Sequence, residues 1–161
     1  MQANQVPDRR RAVADRYGRF YAPLAVVMVL LAFLPLFNDV HEDDLTTSYG
    51  TIFAMAGRPG GSPAVLGLVL FAGLIGVLAA ASVAGRSVGL PIAIVVLGLL
   101  IALMLITKPG TGEPTPSLSD SGVAGLALVV LAVGLAVTHA IHVSVAPNQD
   151  SYVEARNGIP A

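Results

Sequence analysis

The placement of charge constrains this chain more than any other feature. Its nine Lys and Arg and ten Asp and Glu leave four long runs, 20–38, 59–85, 87–107 and 121–149, with no charged side chain. A helix needs about 20 apolar residues to cross a hydrocarbon core about 30 Å thick. Membrane spans are therefore expected near 20–37, 64–85, 88–107 and 122–145. The third makes the case most simply. Thirteen of residues 88–107 are Leu, Ile or Val. At about −0.3 to −0.6 kcal/mol each at a helix centre, they favour insertion by at most roughly 4–8 kcal/mol, enough to carry Pro91 and two glycines.

Composition agrees with this reading. Hydrophobic residues make up 55% of the 161 and charged residues 12%, where a soluble domain carries about 25% charge. Intrinsic disorder, which needs the opposite balance, is excluded. A net charge of −1 gives no footprint for nucleic-acid binding. With no cysteine, disulfides, thiolate metal sites and cysteine nucleophiles are excluded.

Orientation follows from the basic residues. Arg9, Arg10, Arg11, Arg16, Arg19, Arg86 and Arg156 fall on one side of the four spans, Arg58 and Lys108 on the other. The positive-inside rule then places both termini in the cytoplasm. The expected fold is an all-α integral membrane protein, an antiparallel bundle of four transmembrane helices. A basic tail (1–19) precedes it, with a short interfacial helix around 9–17, and a second tail (146–161) follows. The outer loops are 38–63 and 108–121, the latter an irregular connection rich in Pro, Gly, Ser and Thr. Gly85-Arg86-Ser87 makes a tight hairpin of the second and third spans. Tyr21 is placed as an interfacial anchor and Pro23 in the first turn of the first span, with Pro35 kinking or ending that span. No cleavable signal peptide is evident, so the first span reads as a retained anchor. Arg outnumbers Lys eight to one and Ala, Gly and Val abound, the usage of a GC-rich bacterial genome. The expected location is the bacterial inner membrane.

Small residues supply the first candidate site. Ala72, Gly76, Ala80 and Ala84 recur at strides of four in the second span, and Ala132, Ala136 and Ala140 do so in the fourth. Such ridges let backbones approach closely, either inside the bundle or against a partner helix or second copy. His139 and His142, three apart, share a helix face near the cytoplasmic end of the fourth span. They are a candidate metal or proton site, or two histidines at the lipid–water boundary. Asp150 and Glu154 are the nearest further ligands in sequence, and His41, expected at the opposite side, argues against a bis-histidine haem. His41, Glu42, Asp43 and Asp44 form an acidic cluster at the outer end of the first span, a candidate outer cation site or simply a solvated loop.

Absences also weigh. No Asp, Glu, Lys or Arg is expected at the centre of any span, where ion-coupled transporters and pumps keep functional charge. Ser117, Ser119 and Ser121 have no histidine nearby, and neither a phosphate-binding glycine loop nor a metalloprotease motif occurs. The leading expectation is a non-catalytic accessory or scaffold subunit, without cofactor, that packs in the bilayer against partner membrane helices. The alternatives are a small-solute transporter or channel built as a homo-oligomer, with Ser82 and Thr138 on the pathway, and a membrane enzyme using His139 and His142.

Overall fold

A proline and a change of hydrogen-bond pattern set the first boundary. Beyond Leu31 the backbone tightens: Ala32 N–H reaches both Met28 and Val29 carbonyls, Phe33 N–H reaches Leu30 and Leu34 N–H reaches Leu31. Pro35 has no N–H to continue the ladder and disfavours helical geometry at Leu34. The computed structural model describes residues 9–39, 47–48, 50–57, 61–84, 88–108 and 116–145. In order these form α1 (Arg9–Leu31), β1 (Phe37–Asp39), β2 (Thr47–Ser48), α2 (Ile52–Ala56), α3 (Ser62–Ala84), α4 (Gly89–Thr107), β3 (Ser117–Leu118) and α5 (Asp120–Val145).

The chain is mostly helical. Among the described residues, three helices are long and apolar enough to cross a membrane: Ser62–Val83, Gly89–Thr107 and Asp120–Val145. Their proline placement is benign. Pro63 and Pro91 sit in first turns, where an N–H has no helical partner anyway. α4 ends at Lys108, which takes left-handed geometry (φ 49°, ψ 55°) and sends its N–H to Met104, directly before Pro109.

α1 is different. It begins at Arg9, inside the segment expected as a polar tail, and runs unbroken to Leu31. Its apolar part is 20–31 rather than 20–37, about 18 Å at 1.5 Å per residue. Pro23 is therefore not in a first turn but in the helix interior, where it offers no N–H to the Arg19 carbonyl.

The four long helices pack side by side. α1 lies against α3 and α5, and α4 lies against the same two. Neighbours run antiparallel. Gly18 near the start of α1 meets Ser82 near the end of α3, Gly67 faces Met104, and Tyr21 meets His139. Buried positions follow alternating strides of three and four: Phe71, Leu74, Leu78 and Ala81 on α3, and Pro91, Ile94, Gly98, Ile101 and Leu105 on α4. On α5 the line is Gly122, Gly125, Val129, Ala132, Ala136, His139 and Val143. That 3.5-residue average is the spacing that keeps a seam facing its neighbour at a shallow crossing angle. Two crossings depend on glycine. A Cβ on Gly18 would lie 2.8 Å from the Ser82 carbonyl oxygen, and one on Gly122 would collide with the Leu36 carbonyl oxygen.

The outer faces of these helices are also apolar. Val69, Leu99, Leu103, Val130 and Ile141 are all exposed. Helices apolar around their whole circumference belong in a core or a bilayer. On α1, Val26, Leu30 and Phe33 continue this outer surface.

The segments expected as outer loops, 108–121 among them as an irregular connection, carry structure. β1 pairs antiparallel with β2 (Asn38 with Ser48, Asp39 with Thr47) and with β3 (Phe37 with Leu118, Asn38 with Ser117). A three-stranded sheet of order β2-β1-β3 thus joins the two loops. α2 starts with the Thr51 side chain accepting from Ala54 N–H, and it tucks Ile52 into the core. Phe53 on α2 meets Phe33 beyond α1, ring centroids 5.4 Å apart.

Candidate functional site

The end of the molecule opposite the sheet gathers four polar aromatic side chains from two helices. Tyr17 and Tyr21 lie one turn apart on α1, and His139 and His142 lie three residues apart on α5. Because α1 and α5 run antiparallel, the pairs meet level with one another. Tyr21 Oη is 3.0 Å from His139 Nδ1. Tyr17 Oη is 2.6 Å from His142 Nδ1, which also lies 3.0 Å from the Thr138 carbonyl one turn back. The Tyr17 ring stacks on His139, centroids 4.6 Å apart and planes 12° apart.

The two histidines have different surroundings. His139 and Tyr21 are fully buried, each at 0% exposure, while His142 is exposed. His139 thus points into the bundle rather than outward, and Tyr21 is a core residue rather than an exposed interfacial anchor. The cause is register. The 3.5-residue seam of α5 passes through Ala132, Ala136, His139 and Val143, so His139 falls on it and His142 beside it. A buried imidazole and phenol demand partners, and here each supplies the other. Hydrogen bonds between membrane helices contribute about 0.6 kcal/mol on average, and a stacked aromatic pair about 0.5–1.5 kcal/mol. The cluster is therefore a clamp between the first and last helices. Among the described residues no three His, Cys, Asp or Glu side chains gather as metal ligands. Asp150 and Glu154 lie outside the described residues.

Tyr17 and Tyr21 are the residues that sequence reasoning passed over as partners. Their signal was a pair of tyrosines spaced i, i+4 on the first long helix and a pair of histidines spaced i, i+3 near the end of the last.

The small-residue ridges part company. Ala132 and Ala136 are fully buried on the α5 seam, and Ala140, a stride of four further, drifts to half-burial. Ala72, Gly76 and Ala80 fall off the α3 seam and are exposed. A Cβ added at Gly76 would meet nothing within 4 Å. Ala84 closes α3. His41, Glu42, Asp43 and Asp44 lie outside the described residues.

At the sheet end, the serines dismissed as catalytic have a structural task. Ser119 and Ser121 both donate their hydroxyls to the Pro35 carbonyl. Ser119 Oγ also accepts from Gly122 N–H at 3.1 Å, the bond of a helix N-cap, and Ser119 N–H donates to the Leu36 carbonyl at 3.1 Å. The end of α1 is thereby tied to the start of α5. Elsewhere Ser82, Thr107, Thr138 and Ser144 each donate to a carbonyl of their own helix, three or four residues back.

Comparison with known protein families, with curated proteins and with solved structures finds no match to this chain.

Proposed function

We propose that this chain is a four-pass antiparallel helix bundle of a bacterial inner membrane, with both termini cytoplasmic. It acts as a non-catalytic accessory or scaffold subunit, binding partner membrane helices. The observation that carries this reading is the outward face of α3, where Ala72, Gly76 and Ala80 are exposed at strides of four. In lipid, where apolar contact with tails is as good as apolar contact with protein, such a flat face favours close backbone approach by another helix. The apolar outer surface of α1, from Phe20 through Val26 and Leu30 to Phe33, supports counting it as a short fourth span. A transport pathway through this chain would draw on Ser82 and Thr138, and both turn their hydroxyls back to their own helices.

Affinity purification in a mild detergent tests the reading. The expected result is co-purification of a membrane partner that is lost when Ala72, Gly76 and Ala80 are all replaced by Leu. Recovery of a lone monomer across several detergents overturns it.

A further inference from the structure

The arginines of α1 occupy an unexpected depth. Tyr17 is level with His142 of α5, and Gly18 is level with Ser82 of α3. Arg16 and Arg19 flank these residues and are exposed. At that level the neighbouring helices still present large apolar side chains outward. Val83 of α3 is 89% exposed, and on α5 Ile141 is 57% and Val145 76% exposed. The apolar helices α3 and α5 run to Val83 and Val145, so Arg19 falls within the height of both neighbours and Arg16 at its edge.

The arginines also face lipid. Arg19, Val26 and Leu30 are separated by seven and four residues, the spacing of one helix face; Val26 and Leu30 are exposed, and exposed Phe33 follows just beyond the helix end. The guanidinium groups therefore stand directly over a lipid-facing apolar stripe, flanked by exposed Phe20. On the same outward side, Pro23 offers no N–H to the Arg19 carbonyl. A backbone carbonyl and two cations at that depth are costly unless polar groups reach them. Asp15 lies one turn before Arg19 on α1, and across residues 1–19 Asp8 and Asp15 stand against five arginines.

We propose that the outward face of α1 around Arg16 and Arg19 is a binding site for the headgroup phosphate of an anionic phospholipid. The lipid tail lies along Val26, Leu30 and Phe33, and its phosphate sits between the guanidinium groups. Arginine suits this role because its planar fork meets phosphate oxygens in pairs. The short apolar part of α1 lets the headgroup descend to them, since a bilayer thins beside a short span. This site rests on the bilayer-embedded reading above.

The test uses the full chain in a neutral detergent, after a first step that separates the two ideas: resistance to alkaline extraction from membranes. Extraction into the soluble fraction overturns membrane embedding itself. With embedding established, native mass spectrometry compares occupancy by phosphatidylglycerol and by phosphatidylcholine added in equal amounts. The expected result is a several-fold preference for phosphatidylglycerol. It falls to near-equal occupancy in an Arg16→Gln/Arg19→Gln variant and is largely kept in Arg16→Lys/Arg19→Lys. Equal occupancy by the two lipids, or an undiminished preference in the Gln variant, overturns the site. Arg9, Arg10 and Arg11 remain in both variants to hold the orientation.

Discussion

At the scale of single residues, the strongest constraints are polar groups enclosed among apolar ones. Tyr21 and His139 are both fully buried and bonded to each other. Tyr21→Phe keeps the ring and removes the hydroxyl, so it is expected to cost about 0.5–2 kcal/mol, read as a lower melting temperature in detergent. Tyr17→Phe is expected to cost less, since its partner His142 is exposed. Gly122 tests the opposite end. Gly122→Ala forces a methyl against the Leu36 carbonyl and is expected to cost about 1–3 kcal/mol by the same measurement, whereas Gly76→Ala, with open space around it in mid-helix, is expected to raise stability by up to about 1 kcal/mol.

At the scale of elements, the sequence disclosed lengths better than rotations. Charge-free runs located α3, α4 and α5 to within about two residues, because charge at the bilayer centre is too costly to hide. Which side of each helix faces inward was not written in the same way. α3 and α4 are apolar all round, so no polar face marks the outside, and a stride-of-four ridge looked the same whether it lay on the seam, as Ala132 and Ala136 do, or off it, as Ala72 and Ala80 do. The Tyr–His clamp was legible only as two separate pairs, since its assembly depends on the register between α1 and α5. The strands were hidden for a related reason. Two- and three-residue segments carry no period of their own, and it is the docking of both loops on Phe37, Asn38 and Asp39 that makes them a sheet. Asn38 pairs on both sides, so Asn38→Pro should break both ladders at once. It is expected to speed proteolysis of the loops while leaving helix content by circular dichroism close to wild type.

At the scale of the whole molecule, the number of crossings decides which ends share a side. If α1 crosses the bilayer with the other three long helices, the two termini are on one face; if it lies on the surface, they are on opposite faces. The chain has no cysteine, so single cysteines introduced at residues 4, 112 and 149 can be probed one at a time with an impermeant thiol reagent on right-side-out cells. The expected result is labelling at 112 alone, with 4 and 149 labelled after the membrane is opened. Labelling of one terminal position without the other in intact cells overturns the four-pass arrangement, and labelling of both overturns the orientation.

The tie between Pro35 and the two serines also sets an order of events. A chain made from its N-terminus presents α1 first, and Ser119, Ser121 and His139 emerge only after α3 and α4 are complete. Until then the Pro35 carbonyl and the Tyr21 hydroxyl have yet to meet the groups that satisfy them, and α1 lacks one of its two neighbours. α5 is thus the closing piece of the assembly, engaging α1 at both ends in one step. A chain halted before residue 116 should leave α1 open to protease attack that the finished protein resists.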